Sequence, residues 1–489
     1  MVKNSKKRKS GVESLPSKKI KSDVPIISQG HGDNLIGGLL FPDELDITTD
    51  TLITLAQNPT LISHKQLKPF RTAVHDYWRI SQEVALTGSS LTSRISSALV
   101  DHRHVDALVL LSEMQIRRQI PKLGALQRWV RECDGVLTPE MDKEEQDMVW
   151  AVLDAILRTT QPDFIARLTG GESGQGKVQN GSRLIWYPPF HTPRHATRAS
   201  DKTPDPKVTS VSENAQTALK PLQITPGPER RPPNKHPAIV WHSPEGTFPL
   251  EPDPQVRPEP QRYDVQGVPG AFVITDVFDK CECESLVSAA EKVGLEPDEP
   301  ISASALSLSS VLAHNFIWLA DPTFLSILFA RVKPHLPPVI QGGQVKGINA
   351  RFRLYRYRKG ALYRPHIDGA WPSSSSTVVD GQPTYVYDSD PTLYSRLTFL
   401  IYLNDNFDGG CTTFFLPSFQ SLQSVSTGVS GGGMIEARPV KPLQGAVCVF
   451  PHGSAQGSLL HEGSGVDGDG AKYVIRTEVL YEVDRNERE

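Results

Sequence analysis

The chain has 489 residues and a formal net charge of −3, with 38% hydrophobic residues, 40 prolines and 37 glycines. That length suits two or three domains, and the low apolar fraction places part of the chain outside any packed core. No run of about 18 apolar residues occurs, so no transmembrane helix is expected. The charged start MVKNSKKRKSG lacks the apolar stretch of a secretory signal. Five cysteines (Cys133, Cys281, Cys283, Cys411 and Cys448) are too sparse for a disulfide framework, which reads as an intracellular, reduced chain. Cys281-x-Cys283 has no second pair to complete a metal site, and Cys283 falls in phase with Leu286, Val287 and Ala290 as helix packing does.

Residues 1–59 read as a basic, mostly disordered tail. Its first part carries Lys3, Lys6, Lys7, Arg8, Lys9, Lys18, Lys19 and Lys21 against Glu13 alone. The two clusters KKRK and KKIK, with a polar spacer between them, read as a bipartite nuclear address that engages import machinery. Residues 60–165 read as a helical region: Ile95, Leu99, Leu108 and Leu111 recur at helical spacing, as do Met141, Met148, Val149, Val152, Leu153 and Ile156. Thr138 as N-cap and Pro139 at the first helical position open the second of these helices. His102 and His104 lie among charges with no carboxylate pair to complete a site, so this region carries no catalytic constellation.

Residues 166–267 read as a Pro-rich linker, with 17 of the 40 prolines falling between 188 and 260. The apolar islands Leu184-Ile185-Trp186 and Ile239-Val240-Trp241 are candidates for docking onto a neighbouring domain. From 268 to 485 the pattern changes. A β-branched strand at Ala271–Val277 leads into a helix near 280–293 that stops at Gly294, and Asp321-Pro322 opens another that ends before Pro334. Strand signals follow at Arg351–Tyr357, Leu397–Leu403, Thr412–Phe415, Gly445–Phe450 and Tyr473–Tyr481. Short strands after a helical lead-in predict a mainly β domain, a double-stranded β-helix (jelly roll) with supporting helices.

His366 and Asp368 are two residues apart, so on a strand they share a face and can converge on one ion. His461, in Leu-His-Glu-Gly, could complete a two-histidine, one-carboxylate triad of the kind that holds iron(II) with open positions. His452, just after a predicted strand, is the rival third ligand, read instead as a residue at the rim or behind the ligands. Gly409 and Gly410 read as a tight turn without a chemical role.

The ordered blocks Tyr363-x-x-His366-x-Asp368, Arg396-Leu-Thr398-Phe-Leu-Ile-Tyr402-Leu-Asn404, Gly409-Gly410-Cys-Thr412, Gly445–Phe450, His461 and Gly470-Ala-Lys472-Tyr473 resemble the prolyl 4-hydroxylase-like 2-oxoglutarate oxygenases over about 200 residues. The resemblance implies that His366, Asp368 and His461 bind Fe(2+), with 2-oxoglutarate as co-substrate, O2 as oxidant and L-ascorbate as an accessory reductant. It puts Lys472 on the distal carboxylate of 2-oxoglutarate, with Tyr402 and Tyr357 adding hydroxyls and Arg476 as a competing anchor on the same strand face. The implied activity is hydroxylation of a protein side chain, proline first, with release of succinate and CO2.

Two features depart from the family pattern: the long connections 371–395 and 417–437, where specificity usually resides. Arg351, Arg353, Arg356, Arg358 and Lys359 form a basic stretch suited to an acidic peptide or a phosphate backbone. A protein substrate is the leading expectation. The alternatives are oxidative demethylation or hydroxylation of nucleic acid, and a non-catalytic interaction protein.

Overall fold

The computed structural model describes residues 40–88, 90–137, 141–160, 177–178, 183–200, 219–224, 238–253, 255–297, 313–379, 382–418, 433–454 and 457–484. The basic clusters read as a nuclear address lie outside these residues, as do Thr138 and Pro139. The chain divides into two units. The first, ending at Ile62, contains the helices Pro42–Gln57 and Pro59–Ile62, within and just beyond the stretch expected as disordered tail. All that follows concerns the second unit.

Eight strands form the jelly roll: β1 (Arg351–Tyr357), β2 (Tyr363–Ile367), β3 (Leu393–Tyr402), β4 (Thr412–Pro417), β5 (Ile435–Val440), β6 (Val447–Pro451), β7 (Leu460–Gly463) and β8 (Lys472–Glu482). They pair antiparallel in two sheets, β1-β8-β3-β6 and β2-β7-β4-β5. Alternation along each strand gives each sheet an inner and an outer face. On β1 the core residues Phe352 and Leu354 point outward, whereas Tyr355 and Tyr357 pack between the sheets.

Both outer faces are covered by helices. Behind the first sheet lie α5 (Lys280–Val293) and α6 (Pro322–Val332), which bury Leu286, Phe324 and Leu328 against Phe352, Phe399 and Ile475. Asp279 caps α5 in a capping box with Glu282, and Asp321 caps α6 by accepting from the Phe324 N–H. Cys283 is buried in this layer and Cys281 is exposed, as packing of a helix requires. Behind the second sheet lie α1 (Leu91–Val100), α2 (His104–Ile116), α3 (Leu123–Val136) and α4 (Lys143–Thr160). Trp129, Ile95 and Ile156 share one core with Ile367, Phe415, Ile435 and Leu460 of that sheet.

Several expectations need correction. The helical region is not a separate body, because its apolar face closes the outer face of the second sheet. α4 begins at Lys143, later than expected, and Asp142 accepts from the Glu145 N–H at 2.9 Å. The stretch read as linker supplies sheet edges: Leu184–Trp186 runs parallel to β5, and Ala238–His242 runs parallel to the strand His314–Leu319 beside β1. Its prolines flank these short strands, which is where proline is tolerated. The connection 371–395 contains a paired ribbon, Ser374–Val379 with Gln382–Tyr387, and β5 begins inside the connection drawn at 417–437.

A chain beginning at residue 268 would leave Ile367, Phe415, Ile435 and Leu460 uncovered, so it should aggregate on expression, whereas one beginning at residue 63 should stay in solution. Trp129→Ala, which empties a fully buried site, should cost about 3–5 kcal/mol and lower the unfolding midpoint of the jelly roll together with that of the bundle. A soluble, metal-binding chain from 268 onward would show that the bundle is an independent body.

Candidate metal centre

The centre starts from one strand pair. β2 and β7 run antiparallel with His366 directly opposite His461, and their ring centroids are 4.3 Å apart. A β-bulge between Tyr363 and His366 shifts the register there, next to Pro365, which has no N–H to give to a ladder. His366 Nδ1 lies 2.7 Å from the Arg364 carbonyl and His461 Nδ1 lies 3.0 Å from the Leu459 carbonyl. A carbonyl only accepts, so each Nδ1 carries the proton and each Nε2 lone pair is left for an ion.

Asp368, one residue past β2, completes the group. Its Oδ1 is 3.4 Å from His366 Nε2 and its Oδ2 is 3.7 Å from His461 Nε2. One ligand atom from each of the three residues falls within 4.8 Å of the others. Two imidazole nitrogens and one carboxylate suit a divalent first-row transition metal better than magnesium or calcium, which take all-oxygen sites. Burial, with His366 beside it, pushes His461 down to about 3, so it is neutral and able to ligate at ordinary pH. Burial works against ionisation of Asp368, but Arg476 and the two histidines outweigh it and hold the carboxyl well below the usual carboxylate range.

A chain of hydrogen bonds supports Asp368 from behind. Thr398 donates its hydroxyl proton to Asp368 Oδ2 at 2.7 Å. Thr398 Oγ1 therefore accepts from His452 Nδ1 at 2.7 Å, and His452 Nε2 accepts from the Ser395 hydroxyl at 2.7 Å. Ser395 Oγ in turn accepts from the Trp371 N–H at 2.7 Å. The proton order is closed only if His452 is neutral, and burial pushes this imidazole down to about 3. His452 is 3% exposed, so it lies behind the ligands and not at a rim, and its two nitrogens are committed to hydroxyls.

The cavity over the triad is walled by β1 and β8, with Tyr355, Tyr357, Val474 and Arg476 among its lining. At one end Lys472 lies 2% exposed, its Nζ 5.2 Å from the centre of the Tyr357 ring. Among the described residues this ammonium has no hydrogen bond or ion pair, and burial lowers it to about 8. Arg476, four residues on and about 13 Å further along the strand, is placed differently: its guanidinium lies 3.2 Å from Asp368 Oδ1 and 3.8 Å from Glu478 Oε1. Tyr357 lines the cavity beside Lys472. Tyr402 is fully buried behind Thr412, with its hydroxyl 2.8 Å from Thr412 Oγ1. Gly409 and Gly410 both have positive φ, and a Cβ at Gly410 would press on Phe407 and on the Lys472 stem, so this turn leaves room for the ammonium chain.

Among the described residues the helical bundle reaches the centre through an ion pair and a hydrogen bond. Arg364 on β2 binds Asp134 of α3 through Nε at 2.6 Å, and its carbonyl is the one that fixes the His366 tautomer. Gln127 of α3 also donates to the Ile367 carbonyl at 3.0 Å. The sequence reading named His366, Asp368, His461 and Lys472, which the fold brings to one cavity, but it assigned no role to Ser395, Thr398, Asp134 or Arg364. Thr398 had a usable signal, since it alternates with Leu400 and Tyr402 on one strand face. Asp134 had none.

No family model matches the sequence, and no curated protein matches it. Solved structures do match. A viral collagen prolyl hydroxylase from Paramecium bursaria Chlorella virus-1, in complex with 2-oxoglutarate, is 16% identical over 44% of this chain and 97% of its own, with a TM-score of 0.26. A prolyl hydroxylase from Trichoplax adhaerens, bound to a hypoxia-inducible-factor peptide, is 15% identical over 45% of this chain and 86% of its own, with a TM-score of 0.29. A prolyl-4-hydroxylase from Pseudomonas putida is 15% identical over 41% of this chain and 83% of its own, with a TM-score of 0.22.

Proposed function

We propose that this protein is an iron(II)- and 2-oxoglutarate-dependent dioxygenase that hydroxylates a side chain of a protein substrate, with proline the first residue to test. The observation that carries the reading is the His366–His461 pair, each Nδ1 against a backbone carbonyl and each Nε2 turned toward Asp368, beneath a cavity whose far end holds a buried ammonium with no hydrogen bond or ion pair among the described residues. The donor set fits a redox-active divalent ion, and Lys472 fits a co-substrate carboxylate.

In this reading His366, Asp368 and His461, which line the cavity together, would hold the iron. Bound iron with 2-oxoglutarate and oxygen supplies an oxidation that no side chain can: the co-substrate becomes succinate and CO2, and a substrate C–H becomes C–OH. The protein's part is geometric and electrostatic. Lys472 fixes the distal carboxylate as a point charge, and Tyr357 walls the same end. Thr398 and His452 keep Asp368 in one rotamer, and Phe414 and Phe450, with ring centres 6.0 and 4.6 Å from that of His461, keep water from the buried imidazole.

The test is succinate formation from 2-oxoglutarate with iron and ascorbate, measured beside metal content. His366→Ala, Asp368→Ala and His461→Ala should each abolish turnover and lower bound iron without unfolding the chain. Full activity in all three would remove the reading. His452→Ala should bind iron more weakly, by about 10-fold to 100-fold, while His452→Asn should recover part of that affinity; loss as complete as in His461→Ala would make His452 a ligand.

Lys472→Met should weaken 2-oxoglutarate by about 30-fold to a few thousand-fold, the equivalent of about 2–5 kcal/mol for stranding a buried charge, with metal affinity unchanged. The pH dependence has a definite sign. Lys472 is charged below about 8 and neutral above it, so kcat/KM for 2-oxoglutarate should fall as pH rises through about 8. Because a bound carboxylate restores the proton, kcat itself should break at higher pH. A flat kcat/KM profile between pH 7 and 9.5 would show that Lys472 is not the anchor.

A further inference from the structure

The β-ladder positions the two histidines but stops short of the third ligand. Pairing between β2 and β7 ends at Ile367 with Leu460, and Asp368 is the next residue. Its carboxylate is held instead by side chains of β3 and β8. On β8 the residues Lys472, Val474, Arg476 and Glu478 share the inner face, where a sandwich of two sheets ordinarily buries apolar side chains. Lys472 is the co-substrate anchor in the dioxygenase reading. Arg476 and Glu478 lie toward the other end, by Asp368.

Two arms run from the two oxygens of Asp368. From Oδ2 the first passes through Thr398, His452 and Ser395 to the Trp371 N–H, each link 2.7 Å long. From Oδ1 the second passes to the Arg476 guanidinium at 3.2 Å and on to Glu478 Oε1 at 3.8 Å. Glu478 Oε2 accepts from Asn349 Nδ2 at 3.0 Å. Asn349 Oδ1 accepts from the Ser374 N–H at 2.9 Å, and its Nδ2 also donates to the Pro372 carbonyl at 3.2 Å. Both arms therefore end on Trp371–Ser374, the root of the paired ribbon. They also begin side by side, since Thr398 and Glu478 are direct cross-strand partners. The Asn349 amide fits only one way round, because a carbonyl and a carboxylate only accept and an N–H only donates. Asn349 and Glu478 are buried, and Arg476 keeps a buried Nε with no acceptor among the described residues. A buried ionic network is often no more stable than apolar side chains of the same volume, so stability does not account for this one.

We propose that Asn349 and Glu478 are positioning residues for Asp368: acting through Arg476, they tie its Oδ1 to the root of the ribbon, so that an ion in the triad and an ordered root stabilise each other. The proposal rests on the triad holding a metal, as the dioxygenase reading requires, and adds the residues that connect it to the ribbon. Glu478 shares the guanidinium with Asp368. With Glu478 neutral, Arg476 would turn wholly to the carboxylate that the ion needs, and its charge would face the ion uncompensated. The coupling is reciprocal: whatever orders Trp371–Ser374 tightens the ion by the same factor that the ion orders the segment.

The experiment uses the full chain with Mn(II) alone as the probe, and reads hydrogen exchange at the Trp371 and Ser374 amides beside Mn(II) affinity. In the unaltered protein Mn(II) should slow exchange at both amides at least fivefold. Asn349→Asp keeps an oxygen for the Ser374 N–H but sets a like charge against Glu478, whereas Glu478→Gln keeps the shape and removes the charge. In each variant Mn(II) should still slow Trp371, should no longer slow Ser374, and should bind about 10-fold to 100-fold more weakly. A packing role alone would shift Ser374 exchange equally with and without Mn(II). Thr398→Val should give the mirror result, with Ser374 responding and Trp371 not. An unaltered protein that binds Mn(II) without slowing Ser374 overturns the proposal, and that comparison stands even if the variants fail to fold. A Ser374 response that survives in both Asn349→Asp and Glu478→Gln overturns it too. If the unaltered protein binds no Mn(II), the metal reading itself falls, an outcome distinct from bound Mn(II) without the Ser374 response.

Discussion

The centre depends on the register that sets His366 opposite His461 across β2 and β7. A slip of one residue would turn either imidazole to the outer face and destroy the group. The register is held from the other side of the sheet. Ile367 and Leu460, also paired, point away from the metal into the core shared with α1–α4. Moving the histidines would therefore drag two buried aliphatic side chains out of a packed core, at a cost of several kcal/mol by the usual price of large core cavities. The two histidines are thus held in register by apolar neighbours on the opposite face of the sheet.

Electrostatics divides the cavity into two ends. Both cations sit on β8, but at Arg476 the pull of Asp368 and Glu478 outweighs burial and raises its proton affinity above the ordinary value, whereas at Lys472 burial outweighs the weaker pull of Cys411, Cys448 and Glu462 and lowers it to about 8. One end is thus already ion-paired, and the other holds a cation with no ion pair among the described residues. This asymmetry separates two residues that alternation alone could not, since positions four apart on a strand share a face.

Residues whose chemistry is local were legible in the sequence. His366 and Asp368 are two residues apart, at the end of one strand and just past it, and Asp321 caps a helix within three residues of itself. The jelly roll could be read from its apolar strands, yet β5 was missed because Glu436 and Arg438 interrupt it. These are buried against each other at 2.6 Å, a pairing that hydrophobic pattern cannot reveal. The ribbon after Trp371 was missed because four serines mask a strand signal that Thr377 and the Thr384-Tyr-Val-Tyr387 run still carry. What could not be read was long-range: Asp134 meets Arg364 across 230 residues, and Arg158 reaches the Ser418 carbonyl across 260. No window of sequence contains both partners.

That separation bears on how the centre forms. His366 and His461 are 95 residues apart in sequence, and the bundle whose core secures their register lies earlier still. The entropy of closing such loops is spent before the contacts that repay it exist. The three residues of the triad are in place only in the arrangement where both sheets and the bundle are docked. Arg364 links the two events, because its guanidinium closes the contact with α3 and its carbonyl sets the His366 tautomer. A helical region with no catalytic residue of its own in this way takes part in preparing the metal site, and an ion that binds only the finished triad in turn stabilises the docked arrangement over the open one.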